Sequence, residues 1–387
     1  MSALSDAVAK TEAEANDRFG AIESFAKALE QNDLTLKSAI EALGAEMEDL
    51  WTAIKALQNA PPVPVPDPVP DPLPVPAPLL GAAIWPNAAG MPRVMRDDWG
   101  MNAVRIVYHP TALASSIGSE ADVIARIKEA LALGMEVFIS WHKVGSDATK
   151  LPGEGAAIDA FFGRIIAACP NETRLWFQIW NEYGENNAQE QVNGKWQVKP
   201  AYGDTYVSFF RARISSLKAK GFKGKAVASS LYWCNDIMRD SGYRPINQPL
   251  TELSSILVFG PRIVAGFDDM EIYFDVHPYD TWSTIPNAFE EFCALMEKAG
   301  LKFVVGETGM DNDGRDCRKG QRKVFAALDA GYTFPVIGWH SNAQDKNDFT
   351  APDTGMTLKK DASGNPTNLS DPQGKLFYAR GKQLTGA

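Results

Sequence analysis

Two glutamates in this 387-residue sequence stand where an apolar run breaks off: "LWFQIWNE" carries Asn181 and Glu182, and "KFVVGE" carries Glu307. A buried strand that ends on an acid sets a carboxyl at a solvent boundary. Two such ends facing each other across a cleft can cleave a glycosidic bond, one donating a proton to the leaving oxygen while the other stays ionised and attacks the anomeric carbon. The chemistry needs environments that push the two pKa values apart. Trp180 and Tyr183 flank Glu182 with aromatic surface, which suits a proton carrier. Glu307 is expected to lie near Arg105 and Tyr279, whose donors favour its anion.

Eight short β-type runs must position these groups: "LLGAAIW", "NAVRIVY", "EVFISW", "LWFQIW", "KAVASSL", "IYFDV", "KFVVGE" and "PVIGW". Most are separated by amphipathic stretches such as "EADVIARIKEALALG" (Glu120 to Gly134) and "PNAFEEFCALMEKAG" (Pro286 to Gly300). The alternation implies a parallel sheet, and eight units in the segment 79–387 predict an α/β fold closed as a (β/α)₈ barrel. That fold carries its chemistry at the C-terminal ends of its strands. All four histidines follow a run directly or closely: His109, His142, His277 and His340. Asn181, Tyr279 and Trp339 stand at the same ends, and Arg105 lies inside the second run. Trp85, Trp141, Trp233, Trp282 and Trp339 offer flat faces for sugar rings, some of them being core. The long polar segments Gly184 to Asp204 and Ser341 to Leu369 are the expected cleft walls.

Taken in order, Arg105 in "NAVRIVY", His142 in "ISWH", Asn181-Glu182 in "IWNE", His277 and Tyr279 in "VHPY", Glu307 in "VVGETG" and Trp339 in "IGWH" form a pattern. It resembles the functional set of the cellulase-like fifth family of glycoside hydrolases, retaining barrels with acids on strands four and seven. The resemblance implies Glu182 as acid/base and Glu307 as nucleophile, with Tyr279 and Arg105 supporting the nucleophile and His277 turned towards the acid/base. It also implies that Asn181, His142 and Trp339 line the subsite at the bond cleaved. One position departs from the family, which commonly carries proline after the Asn-Glu pair; here Tyr183 stands there, marking a divergent member. The implied activity is endo-acting hydrolysis of a polysaccharide by double displacement, without cofactor or metal.

The flanking sequence speaks to assembly. Ile22, Leu29, Leu36, Leu43, Leu50 and Leu57 share one heptad position, with Phe19, Ala26, Ile40, Met47 and Ile54 three residues earlier. Residues 1–60 therefore read as an α-helical coiled coil that makes a homo-oligomer, dimer or trimer, through residues 19–57. "PPVPVPDPVPDPLPVPAP", residues 61–78, reads as a polyproline II spacer. The net charge of -10 and the lack of a basic run argue against nucleic acid or an anionic membrane as partner. No signal-peptide pattern opens the sequence. An oligomer presenting barrels on stalks fits a virion-associated depolymerase released to the exterior, and a cytoplasmic enzyme is the other expectation. The four scattered cysteines, Cys169, Cys234, Cys293 and Cys317, read as reduced structural thiols. Two further functions were weighed. A non-catalytic glycan-binding barrel or adhesin would need the aromatic platforms but not the acid pair, and a metal hydrolase built on His142, His277 and His340 lacks a full ligand set.

Overall fold

Each of the eight runs becomes a strand: β1 Leu80–Ile84, β2 Ala103–Tyr108, β3 Glu136–Trp141, β4 Leu175–Gln178, β5 Lys225–Ser229, β6 Ile272–Val276, β7 Lys302–Thr308 and β8 Val336–Gly338. They pair in parallel, in chain order, and β1 closes on β8 as a barrel. The computed structural model describes residues 78–386 except 111–116, 145–150, 185–187, 239–246, 286–287, 313, 342–346 and 351–355. The heptad segment and nearly all of the proline run lie outside the described residues.

Strand periodicity explains the barrel interior. Ala83, Ala103, Phe138, Trp176, Val227, Val304 and Ile337 belong to one buried apolar cluster, separate from the larger core that joins helices to strands. Phe138 stacks on Trp176 with centroids 4.5 Å apart, and Trp176 packs on Tyr273 at 4.6 Å, giving an aromatic floor. Because successive side chains alternate faces, the residues two further along β2, β3, β4 and β6 face the same way. These are Arg105, Ser140, Gln178 and Asp275, all buried. A polar layer thus lies on an apolar one, one step nearer the catalytic rim.

The helices form where the amphipathic patterns predict them. Glu120–Ala132 starts with a capping box, in which Ser119 and Asp122 exchange hydrogen bonds. It buries Val123, Ile127 and Ala130, spaced for one face of the helix. Ala288–Lys298 buries Phe289, Phe292, Cys293 and Met296. Cys169, Cys234, Cys293 and Cys317 are all free thiols. The segment after Glu182 is not plain loop: Gln189–Val192 and Lys195–Val198 pair as a hairpin, turning at Asn193-Gly194 with φ of 51° and 80°. Left-handed Asn-Gly at a two-residue turn is a hairpin signal, legible in "QVNGKW".

Candidate active site

Arg105 is the hub of the polar layer, and β2 presents it at 1% exposure. Its Nη1 donates to Glu307 Oε1 at 2.8 Å, its Nε to Gln178 Oε1 at 2.9 Å and its Nη2 to Ser140 Oγ at 3.1 Å. The same Nη2 also donates to Asn181 Oδ1. A guanidinium with this many buried acceptors is fixed in orientation, and it holds Glu307, itself 4% exposed, against a permanent positive charge.

Backbone pairing beyond the strand ends carries the remaining groups to the rim. Asn181 N donates to Trp141 O at 3.0 Å and Glu182 N to Lys143 O at 2.9 Å, so β4 continues along the extension of β3 and delivers Glu182. With Oδ1 occupied by Arg105, Asn181 keeps its NH₂ as a donor. Trp339 N donates to Thr308 O at 2.9 Å, tying the end of β8 to β7. The Trp339 ring stacks on His142 at 5.6 Å and 8°, and Arg105 lies 5.9 Å from its centroid. Trp85, His109 and His340 complete an aromatic group around this stack.

His277 joins the two acids. Its Nδ1 lies 3.1 Å from Glu182 Oε1 and 3.5 Å from Glu307 Oε2, and its Nε2 lies 3.2 Å from Asp275 Oδ2. Oxygens of Glu182 and Glu307 come within 4.8 Å of one another and of the imidazole. Burial pushes the Glu182 carboxyl up and the charge of Glu307 adds to this, against the opposing hydrogen bond from His277. Burial also pushes His142 well below the ordinary histidine range, with Arg105 and the other histidines adding to the effect, so His142 is neutral. Tyr279 is buried edge-on to His277 at 6.4 Å. Burial drives its phenol well up, and the charges of Glu307 and Glu182 add to that shift.

A turn of unusual conformation underlies His277. Tyr232, Trp233 and Cys234 have φ of 58°, 54° and 58°, and Asp236 has 66°. Non-glycine residues rarely adopt the left-handed region, least of all consecutively. Here the turn makes specific contacts: Cys234 O accepts from His277 N at 2.6 Å, and Cys234 Sγ donates to Asn181 O at 3.0 Å. Asp236 accepts from Ser254 Oγ, Ser255 Oγ and Ile256 N, which locks the far end of the turn.

A family model described as cellulase (glycosyl hydrolase family 5) matches residues 86–345, more than half of the chain. The chain belongs to glycoside hydrolase family 5. It is thus a glycoside hydrolase, of a retaining family. Solved family 5 folds resemble it at low identity. A GH5 cellulase from an Icelandic hot spring isolate shares 17% identity at TM-score 0.54, covering 79% of this chain and 88% of its own. Thermobifida fusca endoglucanase Cel5A shares 14% at 0.52, with 79% and 92% covered. A β-mannanase from Streptomyces thermolilacinus, solved with mannohexaose, shares 16% at 0.53, with 80% and 90% covered. No curated protein matches the chain.

Against this family frame, the structure brings Arg105, His142, Asn181, Glu182, His277, Tyr279, Glu307 and Trp339 to one rim. Two tryptophans expected as sugar platforms are core instead. Trp141 is 4% exposed and packs on Tyr108 and Phe161, while Trp282 is fully buried with its Nε1 donating to Asn235 O. Trp85, Trp233 and Trp339 are only partly buried. Tyr183, where the family commonly has proline, is 1% exposed and packs among Trp180, Tyr206, Phe209 and Phe210, so the departure is a core substitution. Gln178 and Asp275 escaped the sequence reading. Their signal was a polar residue inside the otherwise apolar runs "LWFQIW" and "IYFDV".

Proposed function

We propose that this family 5 hydrolase cleaves a polysaccharide internally by double displacement, with Glu307 as nucleophile and Glu182 as acid/base. The closeness of the two carboxyl groups, an oxygen of each lying within 4.8 Å of the other and of His277, supports this reading. Retaining glycosidases hold their acids about 5–5.5 Å apart, whereas inverting enzymes leave about 6.5–9.5 Å for an intervening water. Glu307 meets the Arg105 guanidinium at 2.8 Å, and Glu182, raised by burial, is suited to hold a proton. Asn181, His142 and Trp339 border the position of the reacting sugar. Their donors and flat surfaces suit a neutral glycan, as does the acidic net charge of the whole chain. A panel of β-glucans, mannans, xylans and bacterial exopolysaccharides, read by release of reducing ends and by proton NMR of the first-formed anomer, tests the proposal. The β-anomer is expected first; an α-anomer as primary product would overturn the mechanism.

The heptad register and the proline run support a further part of the reading, that barrels are displayed as an oligomer on semi-rigid stalks, an arrangement suited to a virion-borne depolymerase. Removal of residues 1–78 is expected to give an active monomer by light scattering, and the full chain to run at two or three times the mass of one full-length chain. A full chain that is itself monomeric would exclude the stalk.

A further inference from the structure

Below the two acids, Asp275 is fully buried and its carboxylate meets three groups, two of them on other strands. Gly306 N donates to its Oδ1 at 2.8 Å, Gln178 Nε2 donates to its Oδ2, and His277 Nε2 lies 3.2 Å from that same Oδ2. The cradle is closely fitted: a Cβ on Gly306 would fall 2.2 Å from Asp275 Oδ1, so β7 can approach only as glycine. From the geometry we infer that Asp275 is a positioning residue of the hydrolysis, holding His277 with Nε2–H engaged so that its Nδ1–H stands between Glu182 and Glu307.

The inference rests on the double-displacement reading and adds to it. Both Asp275 oxygens already act as acceptors, from Gly306 N and Gln178 Nε2, and in this assignment Nε2–H of His277 is a further donor to Oδ2. Nδ1 faces two further carboxyl groups, and a bare lone pair there would oppose the charge of Glu307. In this assignment the ring is an imidazolium, with Nε2–H on Asp275 and Nδ1–H facing both acids. The titratable groups near it are Glu182 beyond β4, Glu307 on β7 with Arg105 of β2 paired to it, Asp275 on β6, Cys234 beyond β5, His142 just after β3 and its own neighbour Tyr279. Burial alone would lower the histidine, but the charges of Glu307 and Asp275, with the hydrogen bonds His277 donates to Asp275 and Glu182, raise it to about 10.

A fixed cation between two acids matches the way charge moves in the reaction. In the first half, the bond from the anomeric carbon to the leaving oxygen breaks, a bond to a Glu307 oxygen forms, and the proton of Glu182 goes to the leaving oxygen. Negative charge thereby passes from Glu307 to Glu182, while His277 Nδ1–H lies within reach of both. The fixed positive charge lies 3.5 Å from Glu307 and hydrogen-bonds Glu182 at 3.1 Å, so it stabilises the charge on either acid without a side chain having to swing. Asp275 makes this work by keeping the ring doubly protonated and its plane fixed, a role of the kind a buried orienting carboxylate plays for histidine elsewhere.

The full chain labelled with ¹⁵N-histidine tests this, since it has only four histidines and His277 is identified as the resonance lost in His277→Gln. In the unaltered enzyme His277 is expected to stay doubly protonated through neutral pH. In Asp275→Asn its titration should fall towards the ordinary histidine range, kcat should drop about 10–100-fold with KM within about threefold, and both limbs of the pH profile should move. A singly protonated His277 in the unaltered enzyme at neutral pH would overturn the proposal whether or not the variant folds. So would Asp275→Asn with unchanged kcat and pH profile. Loss of turnover in Glu307→Gln separately tests the reading on which the inference depends, so the two can fail independently.

Discussion

Glu307→Gln is expected to lose about 10⁴-fold or more in kcat/KM while keeping the barrel intact. An amide of the same shape cannot attack the anomeric carbon, so no covalent intermediate forms. The fold should tolerate the change because the amide oxygen can still accept from Arg105 Nη1, and Arg105 retains Gln178, Ser140 and Asn181 as acceptors. Removing one member of a buried ion pair commonly costs about 3–5 kcal/mol, and these remaining acceptors should keep the loss below that range. Thermal unfolding and turnover on the best substrate of the panel, measured on one preparation, separate the two effects. A folded Glu307→Gln enzyme that turns over at the original rate would remove Glu307 from the mechanism.

Glu182→Ala should behave differently, and the difference identifies the acid. On a polysaccharide, whose leaving oxygen needs a proton, kcat is expected to fall about 10²–10⁴-fold. On an aryl glycoside whose leaving group departs unprotonated, formation of the glycosyl-enzyme should be nearly intact. Its breakdown then becomes limiting, and added azide, needing no general base, should restore turnover. The pH dependence follows from the raised carboxyl: the acid form persists above the usual glutamate value of 4.5, and activity is lost as pH rises through the raised value. The alkaline limb of kcat/KM should therefore lie above 4.5 in the unaltered enzyme and vanish in Glu182→Ala assayed with the activated substrate. Equal losses on both substrate types would take the proton-donor role away from Glu182.

The barrel was legible because both of its signals are local. Apolar runs such as "NAVRIVY" and "EVFISW" declare strands, and "EADVIARIKEALALG" declares a helix through its amphipathic spacing. The rim residues were legible because a parallel barrel directs every strand end to the same side. The polar layer was not, since Gln178 and Asp275 look like isolated blemishes until closure sets β4 beside β5 and β6 beneath the acids. The fates of Trp141 and Trp282 were equally hidden. An indole at a strand end or in a loop can face the cleft or the helices, and only tertiary packing decides between them. Tyr183 shows the reverse: a departure from the family pattern at a site neighbour proved to be a matter of core packing.

The left-handed turn at Tyr232–Cys234 has a consequence for how this protein can change. Backbone held in sparsely populated regions costs about 1–3 kcal/mol per residue, and here it is retained at the point that pins His277 and Asn181. Glycine or asparagine in that turn would relieve the strain and relax the seat of the imidazole in the same step. Thermal robustness and catalytic power are thus set against each other within three residues, so selection for a hardier enzyme must find its gains elsewhere in the barrel.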